Sequence, residues 1–237
     1  MKRRDFAINS VAAASLATLP LASLAQKRKD AVVLGMTLEP TGLDPTAGAA
    51  SAIAEIVQYN VFETLTKVNS DGSVTPLLAE SWEVSPDLKT YTFKLRKGVK
   101  FQNGEPFNAN TVKFSFERAA GEKSTNKDKR TFASMERVGV VDEHTVVVIN
   151  KELNPDFLFL MGQATAILVE PKSADTNATK PVGTGPYKLE SWNKGASVTL
   201  AKWPEYRNAA AIKMNKATFR FISDPAAQVA ALLSGDL

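Results

Sequence analysis

The pattern of hydrophobic and polar residues predicts strands and helices in mixed order along this chain. Over residues 90–96 apolar and polar side chains alternate strictly, which is typical of a strand with one buried face. From residue 51 to residue 65 the apolar residues recur at spacings of three and four, which predicts an amphipathic helix. Ser51 is predicted to cap that helix, because its hydroxyl can accept a hydrogen bond from a first-turn amide.

Other segments repeat these two patterns. Asn108 or Asn110 is predicted to cap a helix that ends near Ala119, and Asp224-Pro225 to begin a last helix. Strands outnumber helices and the two are interleaved, so the predicted fold class is α/β with a mixed sheet and α+β character. The remaining predicted strands cover residues 31–36, 138–141, 145–149, 187–192, 198–203 and 217–222.

The first 25 residues have the three parts of a secretory signal peptide. A cationic start at Lys2-Arg3-Arg4 precedes an uncharged apolar run over residues 11–24, and small residues stand before a cleavage point ahead of Gln26. Arg3-Arg4-Asp5-Phe6 resembles the twin-arginine export motif, and the Sec route stays open. The sequence therefore predicts a signal peptide over residues 1–25 and a mature protein in the periplasm.

The amino-acid composition excludes several kinds of catalytic and metal-binding site. None of the 237 residues is cysteine, which excludes disulfides, thiolate metal sites and cysteine nucleophiles. The single histidine, His144, excludes Ser-His pairs and multi-histidine zinc sites built from this chain alone. The net charge of +4 comes from scattered residues, which favours a solvated surface over a nucleic-acid-binding one. No catalytic residue, metal site or cofactor is predicted.

Six blocks of the mature sequence follow one another in an order known from a single protein family. They are Leu43-Asp44-Pro45, Asn60-Val61-Phe62-Glu63-Thr64-Leu65, the run over 76–85 (PLLAESWEVS), the run over 91–101 (YTFKLRKGVKF), Val182-Gly183-Thr184-Gly185-Pro186-Tyr187 and Leu232-Leu233-Ser234-Gly235-Asp236. Together they resemble the bacterial extracellular solute-binding proteins, family 5, which are the peptide-, nickel- and opine-binding components of ABC importers. The resemblance runs over about residues 31–237, and Asn110 departs from it where the family usually has Asp.

This resemblance implies a fold like that of type II periplasmic binding proteins, which have two lobes. It implies that residues 26–65 and 175–237 form lobe I, and that residues 66–174 form an extra subdomain inserted in that lobe. Family members are much longer than this chain. The second lobe is therefore expected to be missing, and the chain is interpreted as a fragment or a truncated gene product.

The resemblance also implies capture without catalysis. Two lobes would close on a small-molecule ligand, most often a peptide, and the closed form would dock on ABC permease subunits in the membrane. Gly48, Ala49, Ala50 and Ser51 are expected to contact the ligand, because a loop of small residues leaves its backbone accessible for strand-like pairing. Phe132 is expected either to form an aromatic wall of the cleft or to pack beneath the polar loop over 122–130.

A second set of residues is expected to shape the cleft or the hinge between the lobes. The glycines of this set permit positive φ or close backbone approach, and its proline restricts a turn. The set consists of Gly183, Thr184, Gly185, Pro186 and Tyr187.

Two other functions stay open. One is a cell-envelope hydrolase acting on peptides, which the absence of cysteine and of a histidine pair disfavours. The other is a chaperone-like interaction module that uses an apolar face left bare where a second lobe would sit. We expect a monomer without nucleic acid or cofactor. The ligand stays open among peptides, chelated nickel, glutathione and sugars.

Overall fold

The computed structural model describes residues 30–237, so the predicted signal peptide lies outside the described residues. Within this range the chain forms ten strands and five α-helices. The strands are β1 (Ala31–Met36), β2 (Thr66–Val68), β3 (Val74–Pro76), β4 (Ala79–Val84), β5 (Thr90–Leu95), β6 (Met135–Asp142), β7 (Thr145–Asn150), β8 (Tyr187–Asn193), β9 (Ser197–Lys202) and β10 (Lys216–Phe221). The helices are α1 (Ser51–Val57), α2 (Ala109–Ala120), α3 (Lys129–Ala133), α4 (Phe157–Leu160) and α5 (Pro225–Ser234).

The first sheet brings together strands from the two ends of the described chain. Its strand order is β1-β10-β9-β8. β1 runs parallel to β10, with Ala31 opposite Lys216 and Met36 opposite Phe221, whereas the other neighbours are antiparallel. The sheet is mixed, which confirms the predicted fold class.

The second sheet is antiparallel throughout, with the strand order β4-β5-β7-β6. The apolar side chains of β5 at Tyr91, Phe93 and Leu95 are buried, as the strict alternation predicts. α2 packs across β6 and β7 and covers one face of the sheet. A separate hairpin of β2 and β3 turns through Gly72, whose φ of 82° suits glycine.

Two hydrophobic cores lie under these two sheets, and one extended segment contributes to both. Ala166 and Leu168 point into the core beneath the second sheet. Ile167 and Val169, which alternate with them, point into the core beneath the first sheet. Because side chains of an extended chain alternate between two sides, this segment joins the two halves as a shared wall.

The first helix is shorter than the prediction over residues 51–65. α1 ends at Val57, and Tyr59 then takes a φ of 60°, which a continuing helix cannot accommodate. Val61 and Leu65 are nevertheless fully buried. The spacing of apolar residues therefore predicted correctly that Val61 and Leu65 are buried. They are buried by a turn that follows the helix, and not by the helix itself.

Local end signals predicted caps for three helices, of which one is wrong, although α1 does begin at Ser51. Ser51 does not cap α1, because Ala50 occupies the capping position and no side chain bonds the first-turn amides. Asn108 does cap α2 by accepting hydrogen bonds from two first-turn amides. Asp224 caps α5 in the same way, with Pro225 in the first turn.

Candidate ligand-binding site

The loop that leads into α1 is held in place by a buried carboxylate. Asp44 is 3% exposed, and its Oδ1 accepts hydrogen bonds from the Thr46 amide at 2.8 Å and from the Thr46 hydroxyl at 2.6 Å. Arg118 of α2 lies 3.2 Å from Asp44 Oδ2 and also donates to Thr46 Oγ1 at 2.6 Å. These bonds anchor the start of the loop, so the residues that follow are presented from a fixed base.

Beyond this anchor the loop turns its backbone to the solvent. Gly48 is half-buried, whereas Ala49, Ala50 and Ser51 are exposed. Among the described residues, no acceptor within hydrogen-bonding geometry faces the amides of Ala49 and Ala50. These two adjacent amides, without bulky side chains around them, can pair with carbonyl groups of an extended ligand.

A depression of about 290 Å³ opens beside this loop, between α1 and the chain on the far side. We call it the α1 depression. The exposed stripe of α1 forms one wall, and two short segments about 70 and 110 residues later form the other. Its lining comprises Ser51, Ala54, Glu55 and Gln58 on α1, and Lys127, Asp128, Gln163, Ala164 and Thr165 opposite them.

The far wall of the α1 depression was not predicted from the sequence. Ala164 and Thr165 belong to a short 3₁₀ turn, Ala164–Ala166, and Gln163 directly precedes it. No motif or periodicity in the sequence marks these residues. Thr165 is tied to the polar loop, because its hydroxyl donates to Asp128 Oδ2 at 2.7 Å and its carbonyl accepts from Asn126 at 2.9 Å. The loop over 122–130, predicted to be exposed, is therefore partly buried where Asn126 meets this wall.

Phe132 lies in the hydrophobic core. Its side chain is 2% exposed, and its ring centroid is 5.5 Å from that of Phe116 on α2. Of the two roles expected for Phe132, packing in the protein interior is the one that agrees with this burial. The ring presents almost no surface to a ligand, so the site described above does not include it.

The segment over 183–187 lies between the two sheets and is buried at its centre. A Cβ atom on Gly183 would lie 1.9 Å from the Val61 carbonyl oxygen, and one on Gly185 would lie 2.5 Å from the Asn60 carbonyl oxygen. Neither glycine has a positive φ. They are required for close backbone approach, and the amides of Gly185 and Tyr187 use that approach to donate to Val61 and Asn60 at 2.9 Å each.

Thr184 connects this segment to a buried carboxylate. Its hydroxyl donates to Glu63 Oε2 at 2.9 Å, and both residues are 1% exposed. Arg207 binds the same carboxylate through two nitrogens, at 2.6 and 2.7 Å, and the Tyr206 hydroxyl donates to it at 3.1 Å. Burial, and then the negative charge of Glu63, raises the pKa of the Tyr206 phenol to about 12.

The described residues 30–237 contain no group of three histidine, cysteine or acidic side chains placed to hold a metal ion. His144 lies in the turn between β6 and β7, away from the α1 depression. No helix of this part of the chain is long and apolar enough to cross a membrane.

The two-sheet architecture is that of the periplasmic solute-binding proteins. It matches the binding protein AgaA from A. tumefaciens R10, solved in complex with agropinic acid, with a TM-score of 0.81 and 29% identity over 87% of this chain and 43% of that one. It matches OppA of Haemophilus influenzae, solved in complex with RPPGFSPFR, with a TM-score of 0.82 and 27% identity over 89% of this chain and 45% of that one.

The chain belongs to the bacterial extracellular solute-binding proteins, family 5, whose model matches residues 73–237. Among curated relatives, the glutathione-binding protein GsiB of Escherichia coli K12 is 30% identical over 232 residues, which is 96% of this chain. That alignment covers 45% of the relative, so the chain spans less than half the length of the relatives it matches. The family resemblance predicted from the six blocks is confirmed.

Proposed function

We propose that this chain is the ligand-capturing part of the substrate-binding component of an ABC importer, that its ligand is a peptide, and that it acts in the periplasm. Family membership supports the class of function, since this family consists of solute-binding proteins. The observation that carries the ligand contact is the pair of unpaired amides at Ala49 and Ala50 beside the α1 depression. The ligand would be bound and released unchanged and handed to permease subunits in the membrane.

The proposed binding mode follows from the backbone of the loop. An extended peptide would pair its carbonyl groups with the amides of Ala49 and Ala50, and one of its side chains would enter the α1 depression. Backbone pairing recognises any peptide, whereas the depression would select among side chains. Glu55, Lys127 and Asp128 place charges of both signs around the depression, which suits a ligand that carries an ammonium and a carboxylate group.

The choice of a peptide draws on the relatives and on the site together. The E. coli relative is a glutathione-binding protein, and glutathione is itself a small peptide with free charged ends. AgaA was solved with agropinic acid, so a fold of this kind also accommodates other small acids. The free amides of the loop favour a ligand with a row of carbonyl acceptors, which is the property that separates peptides from sugars and chelated metals.

The remaining assignments belong to the same proposal. Residues 26–65 and 175–237 would form lobe I and residues 66–174 its subdomain, since every strand of the first sheet falls in the former ranges. The buried segment over 183–187 packs against Asn60 and Val61 on one side. On the other side Gln102, in the subdomain range, donates to the carbonyl oxygens of Gly185 and Tyr187 at 3.1 and 2.7 Å, so this segment would fix how the two parts meet. A twin-arginine signal over residues 1–25 would direct export.

The test is a substitution that removes one donor and little else. Ala50 has a φ of −68°, which proline adopts without strain, so Ala50→Pro deletes the amide hydrogen while keeping the backbone path. We expect Ala50→Pro to weaken binding of trialanine by about tenfold in an NMR titration, because one ligand hydrogen bond is lost. Ala50→Ser keeps the amide and serves as the matched control. Equal binding by all three proteins would refute the proposed contact, and a ligand recovered cleaved would contradict capture without catalysis.

One observation favours a second candidate, an interaction module. Val33 and Leu34 of the edge strand β1 are 37% and 43% exposed, and Leu232 and Leu233 of α5 are 65% and 83% exposed. Large apolar side chains left exposed in this way are typical of an interaction site. Sedimentation that shows association only as the concentration rises would support this candidate, and monomers over the whole range would exclude it.

A further inference from the structure

Tyr59, two residues after the end of α1, has a backbone conformation that is unusual for its type. Only two non-glycine residues among those described have a positive φ, Tyr59 at 60° and Leu88 at 57°. Leu88 lies in the exposed turn before β5, where a tight reversal needs such a residue. Tyr59 instead directly follows Gln58, which lines the α1 depression. In this conformation Cβ crowds the backbone, so surrounding bonds must hold Tyr59 in place.

One of those bonds is made by its backbone, because the Tyr59 amide donates to the Phe62 carbonyl oxygen at 2.8 Å. The others are made by its side chain and by that of its neighbour. The Tyr59 hydroxyl donates to the Gly162 carbonyl oxygen at 2.6 Å and accepts the Val68 amide at 3.0 Å. Gln58 donates to the same Gly162 oxygen at 2.9 Å. One carbonyl group just before the far wall of the depression thus accepts two hydrogen bonds from the end of α1.

Gly162, which accepts both hydrogen bonds, is tightly packed against β2. Gly162 is buried, and a Cβ atom there would lie 2.8 Å from a methyl group of Val68 and 3.2 Å from the Thr66 hydroxyl. The chain at Gly162 is therefore pressed against β2. Gln163, the next residue, already lines the α1 depression.

We infer that Tyr59, with Gln58, is a positioning residue that fixes the spacing between α1 and the wall over 163–165, and thereby determines the size of the ligand group that the α1 depression accepts. This inference rests on the proposed function. Gln58 lines the depression and bonds to its far side, so the two hydrogen bonds close one end of the depression.

The experiment compares two tyrosines that each donate to a backbone carbonyl. Tyr59→Phe removes the link described above. Tyr91→Phe is the matched control, because Tyr91 donates to the Asn154 carbonyl oxygen in the second sheet, away from the α1 depression. The probes are Ala-Ala-Ala and Ala-Phe-Ala, which differ only in the size of one side chain, titrated into each protein and followed by NMR.

We expect Tyr59→Phe to change the ratio of the two association constants by about threefold or more. A change in how well a pocket fits one side chain alters the binding constant by at least this factor. Tyr91→Phe should lower stability and leave the ratio unchanged. A ratio that stays the same in Tyr59→Phe, with the parent chain binding both peptides, would overturn the inference while the proposed function stands.

If the parent chain binds neither peptide, that result counts against the proposed function. A second measurement, which needs no ligand, then tests the inference. The Val68 amide donates to the Tyr59 hydroxyl, so its hydrogen exchange reports directly on the link. We expect Tyr59→Phe to accelerate that exchange by about tenfold relative to Tyr91→Phe. Unchanged protection of Val68 would show that the hydroxyl does not hold the two walls together, and would overturn the inference.

Discussion

The buried carboxylate of Glu63 and the guanidinium of Arg207, whose side chain is 25% exposed, form a two-point ion pair across 144 residues of sequence, with N–O distances of 2.6 and 2.7 Å. Glu63 follows α1, and Arg207 follows β9 of the first sheet. The backbone of Glu63 also accepts the Leu168 amide at 2.9 Å, in the wall shared by the two cores. Through Glu63 the segment after α1, the wall shared by the two cores and the segment after β9 are therefore tied together.

We expect Arg207→Ala to lower the free energy of unfolding by about 3 kcal/mol, because the buried Glu63 carboxylate loses its positive partner and keeps only the hydroxyl groups of Thr184 and Tyr206. Urea denaturation of the parent and variant chains measures the difference. Lys113→Ala is the control, since its ion pair with Glu117 on the surface of α2 spans 3.8 Å and contributes under about 1 kcal/mol. Similar losses for both variants would contradict a special role for the buried pair.

Gly183→Ala is expected to cost about 3 kcal/mol or more, since its methyl group would collide with the backbone of Val61. The measurement is the melting temperature by circular dichroism, or the soluble yield if the variant does not accumulate. Gly195→Ala is the matched control, because its position has open space and only a positive φ of 76°. That control should cost about 1–2 kcal/mol. A well-tolerated Gly183→Ala would show that the two backbones can separate here.

Stability should fall between pH 10 and pH 12 because of Tyr206. Its pKa is raised from 10.0 to about 12 in the folded chain, so over that interval the unfolded chain loses the phenolic proton while the folded chain keeps it. The unfolded state then binds fewer protons, and rising pH favours unfolding. Denaturation of the parent chain and of Tyr206→Phe at several pH values tests this. The variant should lose less stability across the interval, and parallel pH profiles would contradict the assignment.

Replacing both exposed leucines of α5, in Leu232→Ser with Leu233→Ser, tests the apolar surface of this helix. If that surface drives association, the double variant should remain monomeric at concentrations where the parent chain forms larger species, because the apolar area available for burial is reduced. Sedimentation velocity at several concentrations is the measurement. Val141→Ser is the control, since Val141 is 64% exposed on β6 of the other sheet. Association that is lost equally in both would point to a nonspecific effect.

Local patterns predicted much of the fold. The alternation over residues 90–96 became β5, and the cap at Asn108 and the Asp224-Pro225 start became real helix boundaries. All three features depend only on residues close together in the sequence. A strand shows a period of two, and a helix cap is a hydrogen bond between a side chain and a nearby amide. The extent of α1 was wrong because the same apolar spacing can be buried by a turn as well as by a helix.

The candidate site was only half predictable for the same reason. Its near wall, the loop over 48–51, could be proposed because the family resemblance pointed to it. Its far wall over 163–165 has no local signature, since those residues matter only through their position opposite α1. Phe132 is the opposite case, a residue that the sequence offered as a candidate and that the structure buries. An aromatic residue after a polar loop suits a cleft or a core equally, and in the structure it packs against Phe116 in the core.

The sequence by itself determined the family, the class of fold and the places where most strands lie, because these are encoded in ordered blocks and in patterns a few residues long. Only the tertiary structure decided which amides stay unpaired, which residues face each other across the α1 depression, and that Glu63 and Arg207 meet. Those relationships arise where distant segments pack together, as when β1 pairs with β10, and the physical cause is burial and hydrogen bonding between surfaces that no local pattern describes.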